Sequence, residues 1–178
     1  MFIDGQKVGL RPIREEDASI FHGWMNDPEV IQYLLAYLPI TLTAEKQWIE
    51  NTDKSKDGIV LTIVAKTPID GKPIGNVALD AINKKDGYAT FGIVIGDKDY
   101  HECGYGTEAA RLMIDYGFNQ LNLHRINSSA LAFNKRSINM HLKLGFKKEG
   151  RQRQKIFKNG GYIDEVLFGL LREEWKKM

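Results

Sequence analysis

Apolar positions along this chain fall into short β-branched stretches and helical stripes, with little chain between them. Val8–Pro12 reads as a short opening strand. Ala18, Phe21, Trp24 and Met25 recur at helical spacing, which predicts a helix over Asp17–Asn26 with one apolar face. Asn26-Asp27-Pro28 ends it, because a residue before proline resists the helical region. A second helix is expected near Thr43 as N-cap, with Glu45 in its first turn and Trp48 and Ile49 turned inward. Ile59–Lys66, Pro73–Ile82 and Tyr88–Ile95 read as strands, joined by turn signals at Asp70-Gly71 and Asp86-Gly87. Strands joined so tightly form an antiparallel meander.

After Ile95 the pattern changes. Gly104–Asn119 reads as a helix whose face is Ala109, Leu112, Met113, Tyr116 and Gly117. Arg125–Ala130 reads as a strand, and Asn134 caps a helix running to Leu144, closed by Gly145. Phe146–Glu149 and Glu165–Leu171 are two last strands around a turn at Asn159-Gly160-Gly161. A helix crossing between Tyr88–Ile95 and Arg125–Ala130 makes those two strands parallel. The expected fold is therefore α/β (α+β): one sheet, mostly antiparallel, with a parallel pair inside it. The 178 residues suit one domain spanning 1–178.

Composition narrows the function less than the pattern does. The chain is 43% hydrophobic and 27% charged, with a net charge of +2, too close to neutral to argue for nucleic acid or membranes. Its one cysteine, Cys103, cannot form an internal disulfide. The opening residues are charged early and lack a leader's apolar run, and no segment approaches the ~20 apolar residues of a membrane span. A cytoplasmic protein is expected. His22, His101, His124 and His141 are scattered, without the pairing of a metal site, so no metal is expected.

The informative chemistry begins at Tyr100-His101-Glu102-Cys103-Gly104-Tyr105-Gly106-Thr107. Two glycines just ahead of a helix let backbone come close to an anion, and the first helical amides lack partners. The triphosphate motif G-x-x-x-x-G-K-S/T is absent. Gly104-Tyr105-Gly106-Thr107-Glu108-Ala109 formally matches the dinucleotide fingerprint G-x-G-x-x-G/A. That fingerprint requires glycine directly after the strand and an acidic residue about 20 positions on. Here Gly96 to Cys103 intervene and Ile126-Asn127-Ser128-Ser129-Ala130 holds no carboxylate, so the dinucleotide reading fails.

The stretch resembles instead the pyrophosphate loop Q/R-x-x-G-x-G/A of the GNAT superfamily of acetyl-CoA-dependent N-acetyltransferases. His101 stands where that family has glutamine or arginine. Asn134, Ser137, His141, Gly145 and Phe146 resemble a second family segment, N-x-x-S-x-x-x-Y-x-x-x-G-F. Leu10-Arg11-Pro12 and Leu171-Arg172-Glu173-Glu174-Trp175 are similar to the ribosomal-protein alanine N-acetyltransferase (RimJ/RimL-type) branch. The resemblance implies the family's mixed sheet with flanking helices, acetyl-CoA as co-substrate, and transfer of acetyl directly to a primary amine.

It also implies roles. Backbone amides of Cys103, Gly104, Tyr105, Gly106 and Thr107 would hold the pyrophosphate, and His101 and Glu102 belong to the same cofactor site. Edge backbone of Ile93, Val94 and Ile95 would pair with the pantetheine arm, and Asn134 and Ser137 would stand beside it. His141 occupies the position of the family's tyrosine acid. An imidazole with an ordinary pKa of about 6.5 can protonate a thiolate, and Ser128 and Ser129 are rival donors. The branch places a glutamate base where this chain has Thr90, so the base is unassigned.

The acceptor is expected to enter opposite the cofactor, near Tyr33 and Tyr37 or near Phe157, Tyr162 and Asp164, with Asp164 or Glu165 attracting a cationic amine. It could be a protein N-terminal α-amine or a small molecule such as a polyamine, aminoglycoside or amino sugar. A homodimer is compatible with the reading. Seven basic residues and one acid lie between Lys143 and Lys158. An RNA-binding module, the reading from another class, would need aromatics interleaved with those charges, and only Phe146 and Phe157 are available.

Overall fold

The computed structural model describes residues 1–66 and 71–175, with Asp53 by its backbone alone. One eight-stranded sheet organises it, in the order β1-β2-β3-β4-β5-β6-β8-β7. The strands are β1 (Ile3–Asp4), β2 (Val8–Pro12), β3 (Ile59–Ala65), β4 (Lys72–Asn83), β5 (Tyr88–Ile95), β6 (Arg125–Leu131), β7 (Lys147–Lys158) and β8 (Gly161–Leu171). The helices are α1 (Ala18–Met25), α2 (Pro28–Ile31), α3 (Leu42–Lys54), α4 (Tyr105–Asn119) and α5 (Lys135–Lys143). Every strand pair is antiparallel except β5–β6, which is parallel because α4 crosses between them.

Several local expectations shift. The cap of α3 is Thr41, whose hydroxyl accepts from the Ala44 amide at 3.1 Å, not Thr43. Ile49 is buried but Trp48 is exposed. The stripe that α4 buries is Ala109, Ala110, Met113, Ile114, Gly117 and Phe118, so Leu112 and Tyr116 sit at its flank. A Cβ on Gly117 would stand 2.8 Å from Leu79 Cδ1, so the glycine lets α4 lie close on β4. Of the Asp70-Gly71 turn, Asp70 lies outside the described residues, while Gly71 turns through φ 78°. β7 and β8 are longer than expected and meet at Asn159-Gly160, both with positive φ.

One detail of the sheet positions everything that follows. β5 and β6 pair only from Tyr88–Arg125 to Thr90–Asn127. Both strands run on, to Ile95 and Leu131, without pairing further. The sheet is split there, and Phe91–Ile95 offer unpaired backbone on one edge. Side chains alternate across this split. Val166, Phe168 and Leu170 are buried on the α5 side, with Phe168 stacked on His141, and Glu165 alternates with them onto the opposite face.

Candidate active site

A cavity of about 710 Å³ opens at the split between β5 and β6. Its walls are Thr90–Ile95 of β5, Ser128–Leu131 of β6, the loop before α4, the start of α5, and Val30 with Tyr33–Leu35 after α2. The strand edge, the glycine loop and the Asn134 segment, dispersed in sequence, meet at this one place.

The loop before α4 has an unusual backbone. Glu102 and Gly104 both turn through the left-handed region, at φ 60° and 87°. Left-handed turns of this kind point successive amides into a common concavity. A non-glycine residue held there is strained, a feature that gathers at ligand sites. α4 then begins at Tyr105, so its dipole and opening amides face the same space. A Cβ on Gly106 would lie 3.2 Å from Ile95 Cγ1, so glycine lets the helix start approach β5.

His101 has a definite job. Arg136 Nη1 lies 3.3 Å from its Nδ1, and arginine can only donate, so Nδ1 accepts. Nε2 therefore carries the proton and donates to the Ile95 carbonyl at 2.8 Å. The imidazole ties the loop to the end of β5. Arg136 also pairs with Glu102 at 3.3 Å and lies over the Tyr33 ring at 5.1 Å. On the other side of the loop, Lys7 Nζ donates to the Cys103 carbonyl at 3.1 Å. Neither cation is marked by a motif, because each reaches the loop from a distant part of the chain.

Asn134 caps α5 by accepting from the Ser137 amide at 3.1 Å, and it also lines the cavity. His141, one turn on, is 2% exposed. It stacks on Phe168 at 4.6 Å and meets Phe91 and Phe146 edge-on. Its Nδ1 lies 2.7 Å from the Ser137 carbonyl and must donate to it. Burial holds its pKa below the ordinary 6.5, against the opposing pull of that carbonyl, so the ring is neutral at pH 7. Nε2 then accepts, and its partner at 2.7 Å is the Ser128 hydroxyl. Both ring nitrogens are engaged, and the mobile proton of the pair sits on Ser128. The same hydroxyl is 3.0 Å from the Phe91 carbonyl and can serve only one acceptor at a time.

Ser129 is not a rival at the same spot. It points to the opposite face, where its hydroxyl donates to Glu165 Oε1 at 2.7 Å. Glu165 is 4% exposed, lines the cavity, and pairs with Lys155 at 2.5 Å. Asp164, the other acidic candidate, is occupied elsewhere: it accepts from the Gln154 amide and Arg151, which hold its carboxyl below the usual range. Phe157 and Tyr162 pack edge-on at 5.1 Å at the exposed tip of the β7–β8 hairpin, outside the cavity wall. Tyr37 is 80% exposed and also outside it, while Tyr33 lines it. Across β4 from Thr90 stands Asp80, whose carboxyl desolvation raises above its ordinary range. It lies in an adjoining groove that shares Gly92, Ile93 and Val94 with the main cavity. Among the described residues, no three His, Cys, Asp or Glu side chains gather as a metal site would need. Among them, too, no helix is long and apolar enough to cross a membrane.

Known proteins resemble this chain in sequence and in fold. Residues 7–147 match the family described as Acetyltransferase (GNAT) domain. The chain is 30% identical to a Bacillus subtilis SPbeta prophage-derived uncharacterized N-acetyltransferase, YokL, over 174 residues, covering 97% of this chain and 94% of that one. It is also 30% identical to the spermidine N(1)-acetyltransferase of Escherichia coli over 173 residues, 94% of this chain and 88% of the relative. Among solved structures, a Vibrio cholerae spermidine N-acetyltransferase in complex with CoA and spermine superposes with a TM-score of 0.88. It covers 96% of this chain and 98% of that one at 21% identity, a likeness of fold.

Proposed function

The chain belongs to the GNAT acetyltransferase family, and from that premise we propose that it moves the acetyl group of acetyl-CoA directly onto a primary amine of a small cationic molecule. The observation that carries the reading is the split sheet: the unpaired edge of Phe91–Ile95 runs toward an amide-rich loop at the start of α4. An amide-bearing arm can add to such an edge by main-chain hydrogen bonds while its phosphates meet the loop. Lys7 and Arg136 flank that loop and suit a polyanionic cofactor.

The chemistry balances as follows. The uncharged amine attacks the thioester carbonyl, a C–N bond forms, the C–S bond breaks, and the amine sheds a proton. The departing thiolate is met by the Ser128 hydroxyl, which His141 Nε2 holds in place by accepting its proton and which turns that one proton to the sulfur as the C–S bond breaks. His141 is thus a positioning residue and Ser128 the hydrogen-bond donor to the leaving sulfur. The amine's proton leaves on the acceptor face. There Ser129 and Glu165 are in reach of the cavity, and Asp80, raised toward neutrality, borders it from β4.

A small-molecule acceptor is favoured by two relatives that match 94% of this chain and are spermidine N(1)-acetyltransferases, while a Mus musculus relative named alpha/beta-tubulin-N-acetyltransferase 9 matches 80% of it. A protein N-terminal amine, the RimJ/RimL-type reading, rests on less. A Bacillus subtilis relative described as a putative ribosomal N-acetyltransferase is 32% identical over 60% of this chain. The RNA-binding alternative is weakened by the basic segment itself. Lys147 pairs with Glu174, Arg151 with Asp164 and Lys155 with Glu165, and Lys158 donates to the Leu34 and Ala36 carbonyls. The test is release of free CoA from acetyl-CoA with spermidine, simple monoamines and N-terminal peptides as acceptors. No release with any amine, together with no thermal stabilisation by acetyl-CoA, would refute the reading.

A further inference from the structure

We propose that Lys155 is a tethered competitor for the acceptor's ammonium group, seated on the Glu165–Ser129 pair in the cavity wall. The inference rests on the acetyltransferase reading above and names how the acceptor site is filled before substrate arrives.

The geometry begins with an irregular strand. In the β7–β8 ladder Gln152 faces Glu165 and Ile156 faces Ile163, so Arg153, Gln154 and Lys155 stand across from Asp164 alone. Such a bulge re-aims a side chain. Gln154 pays for it with a left-handed backbone at φ 51°, and Asp164 holds the strained turn by accepting from the Gln154 amide at 2.8 Å and from Arg151. The result is that Lys155 places its ammonium 2.5 Å from Glu165 Oε2. Glu165 Oε1 is already taken by Ser129.

The pair is lopsided. Glu165's side chain is 5% exposed and that of Lys155 46%. A buried carboxylate requires a cation, but this cation can leave to solvent without being stranded. Lys155 carries a primary ammonium on a flexible stem, the same chemistry as a charged amine acceptor. An incoming ammonium can therefore replace it with no new unpaired charge. Among the described residues, the only other carboxylate on the cavity wall, Glu102, is paired with Arg136. A lysine tethered this close acts at an effective concentration on the order of millimolar or above. A single ammonium competes poorly with it, whereas an acceptor with further contacts outcompetes it. Lys155 thus sets acceptor specificity.

The test uses Lys155→Met, Lys155→Gln and Lys155→Arg in the full chain, with butylamine as a one-ammonium probe and spermidine as a several-ammonium probe. Removing the tethered charge should lower the butylamine KM about tenfold, the scale of relief expected when a millimolar internal competitor is deleted. Spermidine should gain less, and Lys155→Arg should resemble the parent. Added to Glu165→Gln, Lys155→Met should bring no gain. Butylamine alone should also raise the melting temperature of Lys155→Met more than that of the parent. Lys155→Gln covers the case in which Met at this position fails to fold, because glutamine still donates to Glu165. An unchanged butylamine KM in the uncharged variants overturns the proposal. So does an equal amine-induced melting shift in variant and parent. Failure of acetyl-CoA to stabilise the parent would overturn the acetyltransferase reading instead, and the amine melting shift would still decide the role of Lys155.

Discussion

Acidification should cost the fold stability through His141. The ring is 2% exposed, between Phe168, Phe146 and Phe91, with two serines as its polar partners. Burial lowers its pKa below the unfolded 6.5, so the folded state resists the proton that the unfolded chain accepts. The sign follows from linkage. Stability from this group is complete above about 6.5 and is lost as pH falls from there toward the lower folded value, then no further. For as long as the folded ring stays neutral, each pH unit below the unfolded value costs on the order of 1 kcal/mol, a melting shift of about 3 °C for a chain of this size. His141→Phe keeps the aromatic packing and removes the titration, but it gives up both ring hydrogen bonds, about 2 kcal/mol at neutral pH. The assay is melting temperature against pH for both proteins, between about pH 8 and pH 5.5, which bracket the titration. Their difference should shrink toward acid. Parallel curves would refute the buried neutral ring. The rate carries a matching signature: with a neutral positioning histidine, kcat holds as pH rises above 7, whereas an imidazolium acid would make it fall.

Other outcomes follow from the same geometry. Ser128→Ala should lower kcat by about 100-fold, the scale of a lost proton-transfer partner, while leaving acetyl-CoA affinity intact in a binding titration. Gly106→Glu should weaken acetyl-CoA by at least about 100-fold through like-charge contact, since such juxtaposition costs several kcal/mol. Its fold should persist, because the nearest atoms to the new Cβ are flexible side-chain carbons, of Ile95 at 3.2 Å and Ile93 at 3.9 Å; circular dichroism on heating checks this. Asp17→Asn breaks a buried pair with Arg11 at 2.7 Å and should cost about 3–5 kcal/mol in urea denaturation. Burial pushes the Asp17 carboxyl up, but Arg11, the Arg14 amide and Thr62 outweigh it and hold the pKa below 3.8. Its contribution should therefore be present above about pH 4 and lost as pH falls through the folded value.

What the sequence conveys and what it conceals divide along a physical line. β5 is legible to the residue, because its β-branched run is bounded by Asp86-Gly87 and by Gly96. The loop and the Asn134 cap are legible because they are local: glycines, a helix start and an Asx cap write their geometry into a few neighbouring positions. β7 is not. Residues 147–155 are all exposed, since the strand lies at the sheet edge, so no alternation marks it. Its ladder comes from β8, and the bulge that aims Lys155 has no signature beyond a glutamine in an unusual conformation. The deepest concealment lies in Ser128 and Ser129. Adjacent in sequence and identical in type, they read as interchangeable donors. Strand parity separates them, because successive side chains leave a sheet on opposite faces. Register fixes which is which: Ser128 opposes Phe168, on whose ring His141 stacks, and Ser129 opposes Leu167, beside Glu165. A slip of one residue would exchange the hydroxyl that meets the leaving sulfur with the one on the acceptor face. The division of labour at the site is thus carried by β6–β8 pairing across about 40 residues of chain, not by the identity of either serine.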